Sequence, residues 1–228
     1  MPRGPKRELP PPLPPERRTV GQLVAETIRV YGRNFIPALP LGIFVGVVNQ
    51  LTADISRVGV GLVLVVAAPA FAGGYAYATR IATGAHAPLR AWAIAIMVGS
   101  LVFLPAALLF PWFALAGVFW LALFGLVVPA AVVERASFGD SLRRGLALGR
   151  VDYVHAAGSL ATLVILFFLT RLGLALLLES QADNTVRTAI FLSDTVLAPL
   201  LFLGGAILYG DQEARLRSRG EARAGRKE

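Results

Sequence analysis

The chain has 228 residues, of which 56% are hydrophobic and only 16% charged, against about 25% charge in an ordinary soluble domain. Too few polar residues remain to cover that much apolar surface in water. A soluble enzyme, a disordered chain and a nucleic-acid module are therefore excluded despite the net charge of +8, and the absence of cysteine excludes a disulfide framework, a zinc–thiolate site and an iron–sulfur cluster. What remains is an integral membrane protein.

Residues 1–18, MPRGPKRELPPPLPPERR, are proline-rich and basic and carry no apolar run. Such a segment favours polyproline II or disorder, and it lacks the apolar stretch of a secretory signal. It reads as a solvated basic tail, with a PxxP-type ligand around Pro12 and Pro15 as the alternative. From Thr19, a candidate N-cap, the pattern turns helical. Val20, Leu23, Val24, Thr27, Ile28 and Tyr31 fall on one face, with Arg17, Arg18, Arg29 and Arg33 beside it or on the polar side. A basic amphipathic helix of this kind lies in the membrane interface.

Six long apolar stretches follow, at Phe35–Ala53, Val58–Thr79, Ala91–Phe110, Trp112–Val133, Val154–Leu178 and Thr188–Tyr209. Each approaches the roughly 20 residues needed to cross about 30 Å of hydrocarbon. Ala91 to Val133 has no charge and twice the required length, so it must hold two helices divided near Phe110-Pro111-Trp112. Between the fourth and fifth stretches, Ser137 opens a second amphipathic segment with Phe138, Leu142 and Leu146 on its apolar side.

The basic residues set an orientation. With the N-terminus inside, Arg80, Arg90, Arg135, Arg143, Arg144, Arg150, the N-terminal arginines and the run from Arg215 to Lys227 all fall on one side, and only Arg57 and Arg187 on the other. The positive-inside rule then predicts a multi-pass protein of the inner (cytoplasmic) membrane with both termini cytoplasmic.

Laying Thr19 on Ser137 with a constant offset pairs Gly21 with Gly139, Val24 with Leu142, Ile28 with Leu146, Asn34 with Asp152, Phe35 with Tyr153 and Ala38 with Ala156. Two readings stand: an internal repeat about an axis along the membrane normal, and the chance likeness of two amphipathic segments.

These segments, RTVGQLVAETIRVYGRNFIPAL and VVPAAVVERASFGDSLRRGLALGRVDYVHAAG, resemble the membrane domain found with glycerophosphoryl diester phosphodiesterases and related free-standing prokaryotic multi-span proteins. Tyr31, Arg33, Asn34 and Phe35 match its first motif; Glu134, Leu142, Arg143, Arg144, Gly145, Leu148 and Arg150 match its second. Gly145 departs from the serine usual after the arginine pair. The resemblance implies a six-helix membrane domain. It does not imply phosphodiesterase activity, which belongs to a separate barrel of about 250 residues.

No GxSxG, HExxH, Walker A or strand-to-helix GxGxxG occurs, and two histidines, His86 and His155, are too few for a transition-metal site. No catalytic residue, cofactor or metal is expected. Two constellations stand out. Arg171 and Asp194 lie at similar distances from the loop centred near Ala182–Asp183, so an antiparallel hairpin brings them to one depth. An isolated charge there is costly, which favours a structural ion pair over a substrate or proton site. Glu134 with Arg143, Arg144 and Arg150 sits at the interface, where guanidinium groups suit lipid phosphate; the competing reading is topology enforcement with an internal Glu134–Arg pair. Gly42 and Gly46 form a GxxxG suited to close helix approach.

The expected fold is an all-α polytopic membrane helix bundle of six transmembrane helices plus two interfacial amphipathic helices. Residues 1–18 are expected to form a disordered tail, 19–210 the membrane domain and 211–228 a basic tail. The expected role is a non-catalytic, lipid-contacting or accessory membrane component. Its partners would be membrane lipids, anionic phospholipids among them, or another membrane protein, and not nucleic acid. The alternative is a small transporter with a polar cleft of Arg171, Asp194, Asn49 and Gln50.

Overall fold

A computed structural model describes residues 14–224. Pro15–Arg17 forms a short 3-10 turn. Thr19 then caps α1 (Val20–Arg33) in a reciprocal capping box: its hydroxyl accepts from the Gln22 N–H, and the Gln22 side chain accepts from the Thr19 N–H at 2.9 Å. Asn34 separates α1 from α2 (Phe35–Thr52). Ser56 caps α3 (Arg57–Thr83), which stops at Gly84 with φ +68°, the left-handed conformation that glycine adopts without steric cost. Then come α4 (Leu89–Leu109), α5 (Ala114–Phe124), α6 (Val127–Val133), α7 (Phe138–Val151), α8 (Tyr153–Leu177) and α9 (Asp183–Ala224). No strand occurs among the described residues.

Six helical segments are long and apolar enough to cross a membrane: α2, α3, α4, α5 with α6, α8 and α9. Five of them coincide within a few residues with an apolar stretch of the sequence, whereas α9 contains the sixth, Thr188–Tyr209, and runs well past its end. The fourth is not one rod but breaks between α5 and α6. Pro129 supplies no N–H for the carbonyl of Gly125 and its ring crowds that turn, so the ladder stops four residues upstream. Their outward faces carry bare apolar side chains, among them Val66 and Val154 at 81% and 80% exposure. In water such surface would drive association; in hydrocarbon it is matched to its surroundings.

The core gathers around α9, which packs against α1, α2, α3 and α8. Small residues let backbones meet. A Cβ on Gly42 would fall 1.9 Å from the Thr195 carbonyl oxygen, and one on Gly46 would meet the Phe191 ring at 2.9 Å, so the GxxxG of α2 is the contact surface for α9. α6 is wrapped on all sides, with Val127 to Val132 buried. The amphipathic helices α1 and α7 lie at the foot of the bundle, the face that carries both ends of the described chain.

Two boundaries differ from expectation. The tail assigned to 211–228 begins too early: α9 runs on to Ala224, about 63 Å at 1.5 Å per residue, and Asp211 and Gln212 are fully buried. At the other end Arg18 belongs to the fold, because its guanidinium bonds Asp211 at 2.7 Å. Residues 1–13, with Pro12 of the PxxP, lie outside the described residues, as does the end of the C-terminal run beyond 224, while Pro15 of that motif opens the 3-10 turn.

Candidate functional site

The first polar site is inside the bundle, near the face opposite the termini. Arg171 is six residues from the end of α8, and Asp194 faces it from α9 with Nε–Oδ1 at 3.5 Å. The carboxylate is fully buried, and Arg171 keeps 26% of its side chain exposed. Asn49 of α2 completes the group, its Nδ2 donating to Asp194 Oδ2 at 2.8 Å. The carboxylate is thus held by two helices at once. Gln50, expected in the same cleft, points elsewhere. One helical position on, it donates to the Arg187 carbonyl at 2.8 Å on the outer rim, where Arg187 also pairs with Asp54 at 2.8 Å.

Arg171 and Asn49 line a cavity of about 280 Å³ whose walls are otherwise nearly all apolar. It runs between α8 and α5 on one side and α2, α3, α4 and α9 on the other. Phe71, Phe103, Phe167, Phe202 and the Tyr75 ring form its sides. Asp194 does not line it, so of the ion pair only the cationic partner faces the space.

The second site is at the foot. Glu134 ends α6, and Arg135, with φ +53°, turns the chain toward α7 while its guanidinium donates to the His86 carbonyl at 3.0 Å. Ser137 caps α7, its hydroxyl accepting from the Asp140 N–H. The structure brings Glu134 and Arg144 together, Nε–Oε1 2.7 Å, and adds Tyr209, whose hydroxyl donates to the same oxygen at 2.8 Å. The hydrogen bond to Glu134 is the main reason that Arg144 holds its proton more tightly than an ordinary arginine. Arg143 and Arg150 are not drawn in. Both stand exposed, with no acidic partner among the described residues.

A third polar group, also at the foot, has no counterpart among the sequence-based expectations. Asp152, at the α7–α8 junction, caps α8 by accepting from the His155 N–H and binds Arg215 of α9 at 2.7 Å. Arg215 also donates to the Arg18 carbonyl at 2.6 Å, and Gln212 donates to the Asp152 carbonyl at 2.9 Å. Asp211 takes Arg18 on one oxygen, with His155 Nε2 4.0 Å from the other. This network ties the entry to α1, the α7–α8 junction and the extension of α9. Its one trace in the sequence is an Asp-Gln pair one residue beyond the sixth apolar stretch.

No group of three or more His, Cys, Asp or Glu side chains able to hold a metal occurs among the described residues. In comparisons with known proteins, no family model matches this chain, and no curated protein or solved structure is significantly similar to it.

Proposed function

We propose that this chain is a non-catalytic, multi-pass protein of the inner (cytoplasmic) membrane, with both termini cytoplasmic, that contacts anionic lipid headgroups as an accessory membrane component. The observation that carries the reading is the state of the α7 arginines. Arg144 is engaged by Glu134, whose same oxygen also accepts from the Tyr209 hydroxyl, while Arg143 and Arg150 stand exposed and without acidic partners among the described residues at the foot of the bundle. Juxtamembrane basic residues attract anionic headgroups by about 1 kcal/mol each, and the guanidinium fork suits phosphate oxygens. Exposed Arg33, Arg80 and Arg90 extend the same basic rim. The resemblance to the phosphodiesterase-associated membrane domain points the same way, toward a membrane part that acts without a barrel.

Extraction in native-lipid particles followed by lipid mass spectrometry tests the reading. Anionic phospholipid should be enriched several-fold over bulk membrane and fall to the bulk ratio in Arg143→Gln/Arg150→Gln. Enrichment that persists in that variant, or none in the wild type, overturns headgroup contact; a stoichiometric protein partner would support the accessory role. Orientation is tested separately, because a chain without cysteine accepts single labels cleanly. An impermeant maleimide added to whole cells should label Gln181→Cys and spare His86→Cys. The reverse pattern would overturn the cytoplasmic termini.

A small transporter is the second reading, and one observation favours it: Asn49 and Arg171 reach a cavity within the bundle. Flux in proteoliposomes that is lost on conservative change at Arg171 or Asp194 would replace the accessory reading.

A further inference from the structure

The cavity differs from the foot of the bundle in having both a long apolar wall and a single cationic group. Along α8 its lining extends from Leu160 to Arg171, eleven residues or about 16 Å of helix rise. Its volume, about 280 Å³, is at the lower edge of small-ligand pockets, which span about 300–1,000 Å³. That is a narrow, elongated space, suited to one chain and too small for two.

The arginine at its end is incompletely bonded. The nearest contact to Asp194 is from Nε, at 3.5 Å, and the two terminal nitrogens make no hydrogen bond with the described protein residues. Phe167, one turn earlier on α8, lies under the guanidinium with its ring centroid 5.7 Å from Cζ. A guanidinium fork with open donors at membrane depth calls for a planar or tetrahedral oxyanion. Asp194 does not oppose this from within the cavity, because it is buried behind the arginine and bonded by Asn49. Deeper in, the Tyr75 hydroxyl also lines the space without a protein hydrogen-bond partner.

We propose that this cavity binds a single-chain anionic amphiphile, its chain lying along the Phe-lined cleft toward Tyr75 and its carboxylate or phosphate on the terminal nitrogens of Arg171. The site is distinct from the α7 headgroup contact and does not depend on it. Asp194 and Asn49 act as positioning residues that aim the guanidinium, and no covalent step is involved.

Photo-crosslinking of the full chain in nanodiscs is the test, using a diazirine-bearing long-chain fatty acid and a lysophosphatidate of equal chain length. Adducts should map to cavity residues such as Phe103, Val118 and Phe167, and excess unlabelled probe should compete them away. Competition by the fatty acid alone identifies a carboxylate ligand, and by the lysophosphatidate alone a phosphate ligand; both support the proposal. Arg171→Gln/Asp194→Asn removes both charges while keeping two amide-sized side chains, and should weaken labelling at least tenfold. Val118→Trp fills the cleft and should abolish labelling even though the pair is intact. Arg143→Gln/Arg150→Gln should leave labelling unchanged, so failure of the foot reading and failure of this one are separable. The proposal is overturned by adducts confined to outward-facing residues such as Leu166 and Leu169. Equal labelling by an uncharged monoacylglycerol, or competition only by two-chain phospholipid, overturns it as well.

Discussion

The helix pairs α1–α2 and α7–α8 begin from the same local rule and end in different packing. Each amphipathic helix has 14 residues, a hydroxyl N-cap and a single polar residue before the span. Even the buried faces keep register: Leu23, Thr27 and Tyr31 of α1 fall on Ser141, Gly145 and Gly149 of α7 under the offset that aligns Thr19 with Ser137. What differs is which partner is small. α1 offers side chains, and Thr27 approaches Gly204 of α9. α7 offers glycines, and the backbones of α6 and of the α5 end come close. Equal local codes therefore fix equal helices, and the side chains that fill the interface decide the depth of docking.

The spans that follow show the same divergence around one carboxylate. From α2 comes a neutral amide, Asn49, and from α8 a cation, Arg171; both bind Asp194. Removing the cation should have the largest effect on stability. Arg171→Leu leaves a fully buried carboxylate with only Asn49 and is expected to cost about 3–5 kcal/mol. Arg171→Leu/Asp194→Leu should recover much of that, and Asn49→Ala should cost far less. Denaturation in detergent micelles ranks the three. Equal loss in the single and double variants would remove the ion pair from the account of stability.

Next in size are the α7 glycines. A Cβ on Gly149 would lie 2.1 Å from the Leu123 carbonyl oxygen, and one on Gly145 would lie 2.5 Å from the Val127 backbone. Neither obstacle is a flexible side-chain end. Gly145→Ala and Gly149→Ala are each expected to cost about 1–3 kcal/mol by overpacking, read as a lower melting temperature or reduced monodisperse yield. Gly145→Ser adds a hydroxymethyl group at the same close contact and tests it further. If it melts with the wild type, α7 docks more loosely than the geometry requires.

Much of this fold is legible in the chain. Span positions follow from apolar length, both N-caps from a hydroxyl before an apolar period, and the Arg171–Asp194 pairing from equal distances to a hairpin loop. The break after α5 is not, although Pro129 is visible, because an uncharged run of the right length reads as one span. The foot network is hidden for a different reason. It joins residues 18, 152, 211 and 215 across the fold, and charges after a final span look like a tail until packing buries them. The cavity depends on how the helices cross, and no linear pattern encodes that.

Asp152 and Asn34 give a third and smaller contrast. Asp152 caps α8 and binds Arg215, whereas Asn34 turns back and donates to the Val30 carbonyl at 2.9 Å. Asp152→Asn should therefore cost about 1–2 kcal/mol through loss of a charge-assisted bond at a partly exposed site. Its structural signature should be faster amide exchange in α9 beyond Tyr209. Asn34→Asp loses only a local donor and should leave exchange there unchanged. Matching effects at the two positions would mean that the extension of α9 is held without Asp152.

The smallest expected effect is a gain. Gly21 in α1 and its counterpart Gly139 in α7 each have no atom within 4 Å of where a Cβ would stand. Neither has a positive φ, so alanine fits both without strain. Replacing glycine by alanine in an exposed helix stabilises by up to about 1 kcal/mol, through the backbone freedom that glycine retains in the unfolded chain. Gly21→Ala and Gly139→Ala should each raise the melting temperature slightly and by similar amounts, because the two positions are equally open. That equality isolates the local rule from the packing. At the buried register positions the two units are filled differently, by side chains in α1 and by glycines in α7, and at the open positions they should answer alike. A gain at Gly21 with a loss at Gly139 would mean that α7 makes a contact on its outer face that α1 does not, and the common local code would then extend only to the caps.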